Sequence, residues 1–175
     1  EVSEKHFLDM PPRAKVIDKM EKKKSHLYFV DALGVEFLAY IQEQCYKRGL
    51  DFSAKIGYCN LPSITSMNKE FVDEFSSCTS IKSLDELKHD GQFDYNYEKV
   101  KQPIHLVEEL AIIDEVISII DSDLQQGSLE QVFIVSDHGS SRMAVIAESE
   151  NKWEMSEKGQ HSGRCCPCLL YTSDA

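Results

Sequence analysis

Long apolar runs are missing from this chain. No stretch nears the roughly 18 residues that a membrane-spanning helix needs, and no secretory start is visible, so a cytoplasmic protein without membrane contact is expected. Positive charge is scarce as well. Nineteen Lys and Arg stand against 30 Asp and Glu, a formal net charge of −11. Such a surface repels phosphate backbones at long range, so any nucleic-acid role requires metal ions or a basic partner region as counterweight. Internal repeats and low-complexity tracts are absent. The six cysteines are scattered singly except for a cluster at the end, which fits a reducing compartment rather than a disulfide framework. What remains is an ordinary apolar share of 42% in 175 residues, enough for one domain with a real core.

The most informative stretch is Val132-Phe133-Ile134-Val135-Ser136-Asp137-His138-Gly139. Its apolar run reads as a strand buried on both faces, as in a parallel sheet. Ligands of open α/β sheets bind just beyond the carboxyl ends of such strands. A carboxylate beside an imidazole at that edge offers one hard oxygen and one borderline nitrogen, a pair suited to a divalent metal such as zinc. Equally, an Asp-His pair after a strand can be a helix cap beside a surface histidine.

Earlier in the chain, Val16, Ile17 and Met20 predict a short helix from about Pro12, ending in the solvated run Glu21 to Lys24. Residues 25–30 read as a strand that runs into Asp31-Ala32-Leu33-Gly34, repeating the later arrangement of strand, carboxylate and small residue. Phe37, Leu38, Ile41 and Cys45 share one face of a helix over residues 35–47 that Gly49 ends. Residues 54–59 suggest a second, weaker strand. Pro62-Ser63-Ile64-Thr65-Ser66-Met67-Asn68 then leads into a predicted helix through Phe71, Val72 and Phe75. A hydroxyl at such a helix start either caps it or faces a phosphate. Residues 76–102 are polar and read as a surface excursion or lid. Residues 104–124 are strongly helical, with Leu106, Val107, Leu110, Ile113, Val116, Ile117 and Ile120 on one face and Gly127 as the stop. Residues 143–146 suggest a further short strand or helical turn, and His161 lies in a glycine-bracketed loop.

Parallel strands align their carboxyl ends, so Asp31, Thr65 with Ser66, and Asp137 with His138 are expected to meet. Two carboxylates, an imidazole and a hydroxyl form a plausible metal site in which the cation activates the alcohol for in-line attack on phosphorus. A second metal would take His161, and Arg142 is placed to reach a phosphate oxygen unless it forms an ordinary surface ion pair.

The motifs Asp31 to Gly34, Pro62 to Asn68, Ser136 to Gly139 and Gly159-Gln160-His161 together resemble the PglZ domain. That is a branch of the alkaline phosphatase superfamily known from bacterial phage-defence (BREX) systems. The likeness spans residues 25–167, with residues 1–24 as a preceding helix or linker. It implies an α/β fold with a mostly parallel sheet flanked by helices, alkaline-phosphatase-like and incomplete. It also implies a metal-dependent phosphatase or phosphodiesterase holding one or two zinc ions. In that pattern Asp31, Asp137 and His138 bind one ion, Thr65 is the nucleophile and His161 binds the second ion. Ser66, Asn68 and Arg142 fall on the substrate side. The resemblance also implies a phosphorylated small molecule or nucleic acid as substrate and other defence-system proteins as partners. Full second sites carry Asp-x-x-x-His between the nucleophile and the Asp-His strand; here that stretch offers Glu108 or Glu109 but Ile112 where histidine is expected, with His105 close by.

That departure keeps an alternative open: a catalytically degenerate scaffold that binds phosphate or nucleotide in a defence complex. A plain α/β domain with capping residues is the third reading. Residues 168–175 resemble the translation of a sequencing-library adapter and are expected to be a non-native tail. Without Cys168 the adjacent Cys165 and Cys166 do not close a tetrahedral zinc knot; they read as packed thiols, and Trp153 as a packing residue.

Overall fold

Strand β1 (Ser25–Val30) runs through the middle of the molecule, and its continuous apolar sequence is the reason. A central strand of a parallel sheet is covered on both faces, and Leu27, Tyr28, Phe29 and Val30 are all buried. β1 pairs in parallel with β2 (Cys78–Ile81) on one side and with β3 (Gln131–Val135) on the other, giving the order β2-β1-β3. The computed structural model describes residues 10–60, 65–89 and 104–139; these form an α/β fold with a small, open, all-parallel sheet and helices.

Alternation along the strands sorts the core into two faces. Tyr28 and Val30, with Val132 and Ile134, meet the helices α2 (Leu38–Lys47), α3 (Ser83–His89) and α4 (Ile104–Gln125). Leu27 and Phe29, with Phe133 and Val135, meet α1 (Arg13–Asp18) through Ile17, and the aromatic pair Phe71 and Phe75. Gly49 and Gly127 close α2 and α4 at φ of 70° and 75°, the left-handed position that glycine takes without strain. Among the described residues, no helix is long and apolar enough to cross a membrane.

The structure departs from the sequence expectations in three places. Residues 54–59 form no strand: residues 53–56 are exposed, and the only ladder contact is a single bridge between Pro12 and Tyr58. The segment after residue 65 is not an α-helix but two 3-10 turns, Thr65–Met67 and Glu70–Glu74. Residues 76–89, read as irregular, hold β2 and α3. β2 is an edge strand of Cys, Thr, Ser and Ile, mostly exposed, so backbone pairing to β1 makes it a strand and no apolar pattern announces it.

Candidate metal centre

The carboxyl ends of β1 and β3 deliver Asp31 and the Asp137-His138 pair to one spot. The amide of Asp31 still donates to the Ile81 carbonyl at 2.9 Å, so the sheet fixes this residue even as the strand ends. Ala32 then adopts φ of 59°, a left-handed conformation that an L side chain resists. That turn aims the Ala32 N–H at Asp137 Oδ1, 3.2 Å away, and the His138 N–H reaches the same oxygen at 2.9 Å. The two turns pass closely: a Cβ on Gly139 would lie 3.3 Å from Gly34 Cα.

With Oδ1 held by two amides, Asp137 presents Oδ2 to the interior. This atom is buried, accepts no hydrogen bond among the described residues, and lies 3.3 Å from His138 Nε2. His138 Nδ1 is 3.2 Å from the Gly139 carbonyl, which accepts only from an N–H, so the ring lone pair lies on Nε2. Asp31 Oδ1 sits 3.5 Å from that same Nε2. Thr65 Oγ1 completes the group, 3.3 Å from Nε2 and 3.4 Å from Asp31 Oδ1, to which its hydroxyl donates. Asp31, Asp137 and His138 are at most 6% exposed, and their ligand atoms all lie within 4.8 Å of one another.

These separations have a chemical meaning. Tetrahedral bonds of about 2.0–2.2 Å to nitrogen and oxygen put neighbouring ligand atoms about 3.3–3.6 Å apart. Four of the six separations, at 3.3 to 3.5 Å, match the edges of such a tetrahedron. Two carboxylates around an imidazole lone pair also repel one another unless positive charge lies between them. A small divalent cation meets both conditions, so the donor set fits one.

The other residues singled out from sequence fall elsewhere. Ser66 and Glu108 are exposed, and Glu108 is not in the three-ligand group. Glu109, its neighbour on α4, is fully buried. Asn68 is also fully buried, with its amide committed to the chain: Oδ1 accepts from the Asn60 N–H at 2.7 Å and Nδ2 donates to the Asn60 carbonyl at 3.1 Å. Thr65 sits on a 3-10 turn rather than at an α-helix start, so its hydroxyl faces the carboxylates and not a row of free amides. Arg142, His161, Trp153, residues 143–146, the terminal cysteines and the tail at 168–175 lie outside the described residues, as does the side chain of His105.

One residue at the site had no sequence signal. Arg13 on α1 is 9% exposed, its guanidinium 2.7 Å from the Asp137 carbonyl. A lone arginine in a charged segment has no periodic or motif context, and only the fold reveals its position. Away from the cluster, burial first, then Asp123, raises the Tyr28 phenol, and burial raises the Cys45 and Cys78 thiols. No protein-family profile, curated protein or solved structure matches this chain.

Proposed function

We propose that this protein is a metal-dependent phosphoester hydrolase, a phosphatase or phosphodiesterase with zinc as its metal and Thr65 as nucleophile. On this reading the sheet is part of an alkaline-phosphatase-like fold of the PglZ kind, serving a phage-defence system. The supporting observation is the fourth corner of the donor set: Thr65 Oγ1 stands 3.3 Å from His138 Nε2 and 3.4 Å from Asp31 Oδ1, the spacing of a fourth ligand. A bound divalent cation lowers the pKa of an attached hydroxyl and draws charge from phosphoryl oxygens.

The chain's own residues supply the rest. Asp31 accepts the Thr65 O–H and orients Oγ1. The Gly139 carbonyl locks the His138 tautomer, and the Ala32 and His138 amides hold Asp137 in place. Thr65 Oγ1 bonds to phosphorus as the ester oxygen departs and takes a proton. Water then attacks the same phosphorus and restores the alcohol.

A second reading, a binding module that holds phosphate or nucleotide without turnover, draws support from the exposure of Glu108 and from the single three-ligand group among the described residues. Zinc analysis together with hydrolysis of an activated aryl phosphodiester separates the two. The enzyme reading expects about one zinc per chain, no turnover in Thr65→Ala with zinc retained, and neither in Asp137→Ala. Zinc bound with no turnover in the wild type favours the binding module. No zinc in the wild type overturns the enzyme reading, and neither zinc nor nucleotide bound overturns both.

A further inference from the structure

Arg13 reaches the metal centre from behind, through main chain. Its Nη1 donates to the Asp137 carbonyl at 2.7 Å and to the Ser136 carbonyl at 3.3 Å. Its Nη2 donates to Asn68 Oδ1 at 3.2 Å and to both carboxylate oxygens of Glu70, at 2.9 and 3.1 Å. The guanidinium lies 4.8 Å over the Phe71 ring, which is fully buried. One nitrogen thus holds the turn carrying Asp137 and His138. The other holds the Asn68 side chain, and the backbone N–H of Asn68 donates to the Thr65 carbonyl at 3.1 Å. The hydroxyl and the Asp137-His138 pair come from segments more than 70 residues apart, and the arginine joins both.

From this geometry we infer that Arg13 is a positioning residue, whose planar fork sets the distance between the Thr65 turn and the Asp137-His138 turn and so the shape of the cation site. The inference rests on the metal-centre reading above. Five donors in a fixed plane span two acceptor groups at once, whereas a lysine ammonium acts as a point charge and holds one. The arginine is itself placed by a close approach. A Cβ on Gly57 would lie 3.0 Å from Arg13 N and Cα, and the neighbouring Tyr58 exchanges hydrogen bonds with Arg13 N and the Pro11 carbonyl at 3.0 and 3.1 Å.

The test uses cobalt as a spectroscopic stand-in for zinc on the full chain, with no dependence on hydrolysis. Arg13→Lys is expected to bind Co²⁺ about 10- to 100-fold more weakly than wild type, as loss of a group supporting metal ligands does, and to change the visible band that reports tetrahedral coordination. Gly57→Ala, which displaces the Arg13 backbone and leaves its charge, should do the same and stands in if Arg13→Lys does not fold. Ile17→Val weakens the same helix without touching the clamp and should bind as wild type does. Wild-type affinity and spectrum in Arg13→Lys or in Gly57→Ala overturn the positioning role alone. So does an equal loss in Ile17→Val at a matched drop in Tm. Wild-type protein that takes up no Co²⁺ removes the metal centre and this role with it.

Discussion

The two faces of the sheet are built from different materials. One is aliphatic and deep: the 22-residue helix α4 lays Ile113, Val116, Ile117 and Ile120 against Tyr28 and Val30, with α2 alongside. The other is made of short pieces, the six-residue α1 and two 3-10 turns, packed around Ile17, Phe71 and Phe75 and tied by the buried Arg13. Short elements cannot stand on their own hydrogen bonds, so ion pairs and main-chain contacts hold them. Both faces meet the same strands, but Thr65 arrives with the second. The aliphatic face carries stability, and the clamped face carries the geometry of the site.

Truncation on the aliphatic face tests this division with the largest effect. Ile117→Ala should cost about 2–5 kcal/mol, because a small apolar void already lies between Val30, Ile41, Ile113 and Ile117 and the lost side chain enlarges it. Urea unfolding measures the loss, and Co²⁺ affinity of the folded variant should stay at the wild-type value. A matching fall in affinity would mean the two faces are not separable.

The reverse experiment is Asp137→Asn. The amide oxygen still accepts the Ala32 and His138 N–H groups, while the buried negative charge disappears. Metal-free protein should therefore hold its stability or gain up to about 1–2 kcal/mol. If zinc occupies the site, it should stabilise the wild type by about 2.7 kcal/mol at a hundredfold excess over Kd, and that gain should vanish in Asp137→Asn. Thermal melts with and without zinc read both halves of the prediction.

The same division governs what could be read from sequence. Helix α4 was legible because its apolar residues repeat at the helical period, and β1 because an unbroken apolar run means a strand covered on both sides. The same signal marked β3 as a strand but overstated its burial: β3 lies at an edge of the described sheet and its five residues are only half-buried. The meeting of Asp31 with Asp137-His138 followed from strand direction alone. The clamped face was illegible for physical reasons. Its 3-10 turns have no period long enough to show, and β2 is a polar edge defined by its partner. Arg13 acts through carbonyl groups that no side-chain pattern encodes. Asn68 lay within a motif read as substrate-facing, and the fold commits its amide to Asn60 instead.

A pH experiment sharpens the contrast from the aliphatic side. The Tyr28 hydroxyl donates to Asp123 on α4, and burial, then that carboxylate, raise its pKa above the ordinary 10.0. The folded state therefore favours the neutral phenol. Its contribution is complete below about pH 10 and is lost as pH rises beyond, where the unfolded chain releases the proton first. From about pH 10 upward the slope due to this residue should approach about 1.4 kcal/mol per pH unit. Tyr28→Phe should flatten that slope in urea titrations, and Tyr40→Phe should flatten it further, since burial and Asp114 raise its phenol too. Unchanged slopes would exclude both hydroxyls as the source of alkaline sensitivity.

The smallest effect is expected where the site meets the sheet. Ala32 holds φ of 59°, a conformation that costs a non-glycine residue about 1–2 kcal/mol. Ala32→Gly relieves that strain but gives back about 0.5–1 kcal/mol in chain entropy and about 0.8 kcal/mol for a buried methyl group. The net change should lie within about 0.5 kcal/mol of zero. Ala39→Gly, on the exposed side of α2, meets ordinary helical geometry and should lose about 1 kcal/mol. The difference between these two substitutions, measured by urea unfolding in one buffer, isolates the strain that turns the Ala32 N–H toward Asp137. If residue 32 lost as much as residue 39, the turn would be relaxed, and the orientation of Asp137 would have to come from the Arg13 side alone.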